Sequence, residues 1–213
     1  MHIQSANPYN HPTSDAFCTI EGTYLENMSY LHLAWEDVDK LVWRLASRIT
    51  GDGFHPDFII AMGRGGFDPA RILCDHLSVH RLGSVQMESY SGIAASSEPR
   101  VVIPLNADIQ NAKVLLVDDV SDSGRSLLKA REYLLSKNPA ELRVVTLHVK
   151  PWTNYKPDYW VEETDKWVVY PWEIKEIIVE LSENIRKSNP KINLVDKLVE
   201  MGFDVEKVSR YLK

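Results

Sequence analysis

The segment Asp118-Asp119-Val120-Ser121-Asp122-Ser123-Gly124-Arg125-Ser126 concentrates more chemistry than any other part of the chain. Val114 to Val117 ahead of it read as a buried strand, and a helical pattern follows it. A loop that runs into a helix N-terminus presents free backbone N–H groups and a positive dipole end, which suits a phosphate. Asp118 and Asp119 are ill suited to the phosphate itself but suit hydroxyl groups and Mg2+ on the same ligand. A phosphorylated sugar satisfies both halves of the segment.

A second loop, Gly63-Arg64-Gly65-Gly66, follows the apolar run Ile59 to Met62. Glycines allow an anion to approach backbone N–H groups, and the Arg64 guanidinium offers a fork of donors for phosphate oxygens. A plain tight turn would have the same composition. Further on, Ser89-Tyr90 opens a stretch of small and polar residues between two strand candidates, which reads as a hairpin. Lys150 closes the strand candidate Leu142 to Val149, and Trp167-Val168 precede Tyr170-Pro171-Trp172-Glu173. Core or interface packing is the ordinary role of such tryptophans.

These groups need a scaffold. Apolar spacing predicts a strand over Tyr30 to Ala34 and a helix over Trp35 to Ile49, with Gly51 and Gly53 ending it. A strand over Asp57 to Met62 follows, then a helix capped by Asp68 with Pro69 at its first position, running to about Leu77. Strands are expected over Leu82 to Ser91, Val101 to Leu105 and Lys113 to Val117, a helix over Gly124 to Ser136, and a strand over Leu142 to Val149. The alternation implies an α/β fold: a mostly parallel twisted sheet flanked by helices, with ligands beyond the carboxyl ends of its strands. Residues 1–28 read as an irregular N-terminal arm, 29–175 as the core, and 176–213 as a C-terminal helical extension, with helices capped by Asn193 and Asp204.

The chain has 213 residues, 44% hydrophobic and 25% charged, enough for one well-buried domain. A net charge of −6 gives no general attraction to nucleic acid or membrane, so a polyanionic ligand depends on local cations. Two cysteines, Cys18 and Cys74, supply neither a disulfide framework nor metal-ligand spacing, and no apolar run is long enough to span a bilayer; a cytoplasmic location is expected. No G-x-x-x-x-G-K-[ST] occurs, which excludes a P-loop nucleotide site.

The order apolar strand, Asp118-Asp119, apolar residue, hydroxyl, Asp122, Ser123, Gly124 resembles the signature of type I phosphoribosyltransferases, with Ser123 where Thr is commoner. Together with Trp35-Glu36 through Arg48 and the Gly63–Gly66 loop, it is similar to bacterial xanthine-guanine phosphoribosyltransferases. The resemblance implies a sheet with a small hood, a homodimer or homotetramer, and Mg2+-dependent transfer of ribose 5-phosphate from 5-phosphoribosyl-1-diphosphate to a purine, giving a nucleoside monophosphate and diphosphate. It places the sugar 5-phosphate on Ser121, Asp122, Ser123, Gly124, Arg125 and Ser126, the ribose and Mg2+ on Asp118 and Asp119, and diphosphate on Gly63, Arg64, Gly65 and Gly66. Ser89 and Tyr90 fall in the family's flexible loop, and Asp122 is the candidate to take or orient the purine N7 proton. Lys150, Trp167 and Val168 match the purine-reading positions: a lysine for the 6-oxo group, a stacking aromatic and a backbone contact. Glu173 stands where the family usually has an Asp near Mg2+. A cationic donor prefers an oxo to an amino group, which favours hypoxanthine, guanine or xanthine. Adenine as acceptor, or a non-catalytic regulator that binds the activated sugar, are the alternatives.

Overall fold

A computed structural model describes residues 28–88, 98–105 and 107–213. Its elements run β1 (Tyr30–His32), α1 (Trp35–Gly51), β2 (Phe58–Gly63), α2 (Phe67–His76), β3 (Leu82–Glu88), β4 (Arg100–Ile103), β5 (Lys113–Ser121), α3 (Arg125–Leu135), β6 (Glu141–Val149), β7 (Tyr159–Glu163), β8 (Trp167–Val169), α4 (Ile174–Ser188), α5 (Leu194–Glu200) and α6 (Val205–Tyr211). Six strands form one sheet in the order β4-β3-β2-β5-β6-β7, parallel except where β3 meets β4. A separate two-stranded parallel sheet pairs β1 with β8.

The central strands are apolar on both sides because both faces are covered. Ile59, Ala61, Leu115, Val117 and Val145 face one cluster with Val42, Leu45 and Ile49 of α1 and Leu73 of α2. Phe58, Ile60, Met62, Val114, Leu116 and Val144 face the other, with Leu127, Ala130 and Leu134 of α3. A third cluster joins Val169 to Ile178, Leu181 and Ile185 of α4, Leu198 of α5 and Val208 of α6. His32 Nε2 lies 2.8 Å from the Met201 carbonyl, so β1 also fastens the C-terminal helices.

The connection from β2 leads to β3 on one side, and that from β5 leads to β6 on the other. The strand order therefore reverses between β2 and β5, and a crevice opens beyond their carboxyl ends. Both phosphate-suited loops lie at that crevice.

Several boundaries differ from the sequence expectation. β1 ends at His32, because Ala34 is the N-cap of α1 and its N–H donates to the Asp37 carboxylate at 3.0 Å. Gly51 lies inside α1, which Asp52 closes. α2 starts at Phe67 behind Gly66, not at an Asp68 cap: Ala70 N–H already reaches the Gly66 carbonyl at 3.0 Å, and Pro69 occupies a first-turn position that needs no donor. β5 continues through the acidic pair to Ser121, because β6 pairs with it as far as Val149. β7 and β8 were not foreseen, and α4 begins before the expected boundary at residue 176.

Candidate functional site

Asp118 and Asp119 are the last acidic residues of a buried strand, with Asp118 opposite Thr146 in the ladder. Alternation along the strand sends them to opposite faces. Asp118 is buried and Asp119 half-buried. Burial raises both carboxyl pKa values, and the charge of Asp119 raises that of Asp118 further. Glu173, the N-cap of α4, accepts from Tyr170 N–H at 3.2 Å. Its pKa is pushed up to about 8, first by burial and then by the charge of Asp119. The site therefore gathers hard carboxylate oxygens whose mutual repulsion a cation would relieve.

Beneath the acids lies a part of the site that the sequence reading missed. The Tyr170 hydroxyl donates to the Asp119 carbonyl at 3.0 Å and lies 2.8 Å from His148 Nδ1. With that hydroxyl proton committed to Asp119, His148 carries its proton on Nδ1. Its Nε2 is buried and has no hydrogen-bond partner among the described residues. Burial depresses the His148 pKa to about 4. Trp172 stacks on Tyr170 with ring centroids 4.7 Å apart and planes 9° apart.

The loop after β5 is fastened from outside. Ser121 Oγ is fully buried; it donates to the Tyr155 carbonyl at 2.8 Å and lies 2.9 Å from Thr153 Oγ1. Its side chain is thus committed to the neighbouring turn, unlike the phosphate contact expected of it. Asn154 N–H donates to the Ser123 carbonyl at 3.1 Å. Gly124 has φ of +79°, and a Cβ there would stand 2.7 Å from Tyr155. Only glycine fits both the backbone angle and the close approach. Gly124 also precedes α3, and no side chain caps that helix. Arg125 and Ser126 form its first turn; the Arg125 N–H makes a long 3.5 Å bond to Ser123 Oγ, which an anion at this helix start would compete with.

The loop after β2 is seated differently. A Cβ on Gly66 would lie 2.2 Å from the Val117 carbonyl oxygen, and one on Gly65 would lie 2.0 Å from Asp119 Oδ2. Glycine at these positions brings the loop directly against the end of β5. The Gly63–Arg64 peptide bond is cis. Arg64 is exposed, and its Nη2 contacts both oxygens of Glu176 on α4 at 2.9 and 2.8 Å. Glu176 was not foreseen; its i+3 spacing from Glu173 on a helix start was the available signal.

At the third strand end, Lys150 is buried and its Nζ donates to the Lys166 carbonyl. Burial lowers its pKa, while the charges of Asp122 and Asp165 act in the opposite direction. Lys150 Nζ also lies 5.5 Å from the centre of the Trp152 ring. The Trp152 indole N–H donates to Asp122 Oδ1 at 2.7 Å. The structure thus joins Lys150, Trp152 and Asp122 in one constellation. Trp167 pairs with Tyr30 across the small sheet; its side chain is half-buried and packs on the cluster of the C-terminal helices. Val168 is buried in the first core cluster. Ser89 and Tyr90 lie outside the described residues, as do residues 1–27 of the expected arm. Among the described residues no three metal-ligating side chains converge into a ready-made metal centre, and no helix is long and apolar enough to cross a membrane.

The chain is similar to several known proteins over this part of its length. It is 30% identical to a xanthine-guanine phosphoribosyltransferase of Gluconobacter oxydans over 159 residues, covering 72% of this chain and 90% of the relative. It is 27% identical to one from a Ruegeria species over 155 residues, covering 67% and 85%. The solved purine phosphoribosyltransferase of Pyrococcus horikoshii superposes with a TM-score of 0.62 at 34% identity, covering 68% of this chain and 94% of that one. A family model, the phosphoribosyl transferase domain, matches residues 33–184, the span that carries both strand-end loops and the acids between them. The chain belongs to the phosphoribosyl transferase domain family.

Proposed function

We propose that the protein is a 6-oxopurine phosphoribosyltransferase that moves ribose 5-phosphate from 5-phosphoribosyl-1-diphosphate to hypoxanthine, guanine or xanthine. The observation that carries this reading is the meeting of two loops at the β2–β5 crevice. One is an uncapped helix start behind Asp118-Asp119, and the other is a glycine loop pressed onto Asp119.

The 5-phosphate sits on the Ser123–Ser126 backbone at the start of α3, and the acids face the ribose hydroxyls. The bond from sugar C1 to the diphosphate oxygen breaks and one from C1 to a purine nitrogen forms. The purine releases a proton, which Asp122 accepts. Arg64 and the Gly65 amide hold the departing diphosphate, donors placed where negative charge develops, while the Gly66 N–H is committed to the Met62 carbonyl at 2.9 Å and only seats the loop. Lys150 donates to the purine oxo group. Asp119 and Glu173, close enough for the charge of one to raise the pKa of the other, would hold Mg2+, with ligand oxygens and water completing its shell, and the ion would neutralise charge on the leaving group. Asp118, on the other face of the strand, would reach it only through the ligand or water. The reading includes a cytoplasmic homodimer or homotetramer, which light scattering on the purified chain tests.

The test of activity is diphosphate release with Mg2+ and each of hypoxanthine, guanine, xanthine and adenine. Turnover with the oxopurines is expected. Turnover with adenine alone would overturn the assignment of base, and release with none of the four would favour a regulator that only binds the activated sugar.

A further inference from the structure

Trp152 follows directly on the Lys150-Pro151 strand end, yet it reaches back to the loop after β5. Its indole N–H donates to Asp122 Oδ1 at 2.7 Å, a bond between residues thirty apart in sequence. The turn that carries it is itself pinned: Asn154 N–H to the Ser123 carbonyl, and Thr153 and Tyr155 to the buried Ser121 hydroxyl. Gly124 closes against Tyr155 with no room for a Cβ. The turn that follows the indole is therefore fastened to the phosphate-suited loop, and the indole itself is tied to the same loop through Asp122. On its other side the ring lies under the ammonium of Lys150, 5.5 Å from the ring centre.

We infer that Trp152 is a positioning residue for the transfer reaction, holding the Asp122 carboxylate and the Lys150 ammonium in one fixed arrangement around the acceptor base. The inference rests on the proposed function. Physically, a hydrogen bond from a rigid, two-torsion side chain fixes the rotamer of a carboxylate that must meet a purine proton. The same ring supplies a π face to the lysine that reads the oxo group. Proton transfer in the transition state is sensitive to such orientation, whereas binding of the activated sugar, made by the α3 backbone and Arg64, is not.

The test is a kinetic cycle with Trp152→Phe, Asp122→Asn and the double variant, using the oxopurine the wild type turns over fastest. Trp152→Phe keeps an aromatic face, though a smaller one, and loses the N–H. It is expected to lower kcat about tenfold, the scale of one charge-assisted hydrogen bond. The KM for 5-phosphoribosyl-1-diphosphate should stay within about twofold, since those contacts are untouched. In the Asp122→Asn background the same change should cost almost nothing further, because the carboxylate it positions is gone. Equal kcat in Trp152→Phe and wild type would overturn the inference, and so would full additivity in the double variant. Thermal unfolding of each variant separates positioning from loss of fold. Inactivity of the wild type with every base would defeat the functional reading instead, and leaves a distinct signature.

Discussion

The two loops at the crevice are built on opposite plans. The loop after β5 is bolted down: Ser121, Ser123 and Gly124 are each engaged by the Thr153–Tyr155 turn, and what it offers a ligand is backbone. The loop after β2 is seated by glycines on Val117 and Asp119, but what it offers is one exposed side-chain cation, Arg64, held by Glu176. The difference matches the fates of the two ends of the proposed substrate. The 5-phosphate stays with the product and is served by fixed donors. Diphosphate must leave, and is served by a surface guanidinium that a carboxylate on α4 can receive back.

Substitutions can break or sharpen this contrast. The largest effect is expected from Gly66→Ala, whose Cβ would sit 2.2 Å from the Val117 oxygen and 2.7 Å from that of Met62. Neither backbone atom can yield cheaply, so a loss of about 4 kcal/mol in denaturant unfolding is expected. Wild-type stability would mean the β2 loop is not seated as described. Gly124→Ala is expected to cost about 3 kcal/mol, from its left-handed backbone plus crowding against Tyr155. If it cost nothing, the β5 loop could not be called bolted down.

Next in size is a pH effect centred on His148, beneath the end of β5. Its folded pKa of about 4 lies below the unfolded value of 6.5, so the unfolded chain takes up a proton first as pH falls. Stability from this residue is complete above about 6.5 and is lost as pH drops toward 4. Glu173, with its raised pKa, works in the other direction: its carboxyl favours the folded state at low pH and opposes it as pH rises from about 4.5 through 8. Comparing wild type with His148→Asn cancels the Glu173 contribution. The stability advantage of wild type over that variant should shrink by about 2 kcal/mol between pH 7 and pH 4.5. A constant difference across that range would remove the buried neutral imidazole from the account. The smallest effect belongs to Glu176→Gln: thermal stability unchanged, as for most exposed ion pairs, and KM for the activated sugar lowered about twofold at low salt. A rise in KM would show that Glu176 assists Arg64 instead of competing for it.

What the sequence made legible follows from how local each signal is. The apolar runs of β2, β5 and β6, the stripe of α1 and the caps at Asn193 and Asp204 are written in adjacent residues, and the helix caps act as expected on Val195 and Lys207. Asp118 and Asp119 were recognisable as types, but their place inside β5 was not, because the partner strand β6 extends the pairing past the apolar run. β8 is three residues long and exists through its pairing with distant β1, so no local pattern announces it. The bonds from Trp152 to Asp122, from Tyr170 to Asp119 and from Glu176 to Arg64 all join residues far apart in the chain. Only the fold brings them together.

The central claim is that the acids of β5 and the helix start behind them form the site for an activated ribose. Isothermal titration of 5-phosphoribosyl-1-diphosphate with Mg2+ into wild type and into the Asp118→Asn/Asp119→Asn double variant tests it directly. The account predicts saturable binding at one site per chain in the wild type. In the folded double variant it predicts a loss of at least about 100-fold, the scale of removing two charge-assisted contacts. Equal binding by both proteins would contradict it.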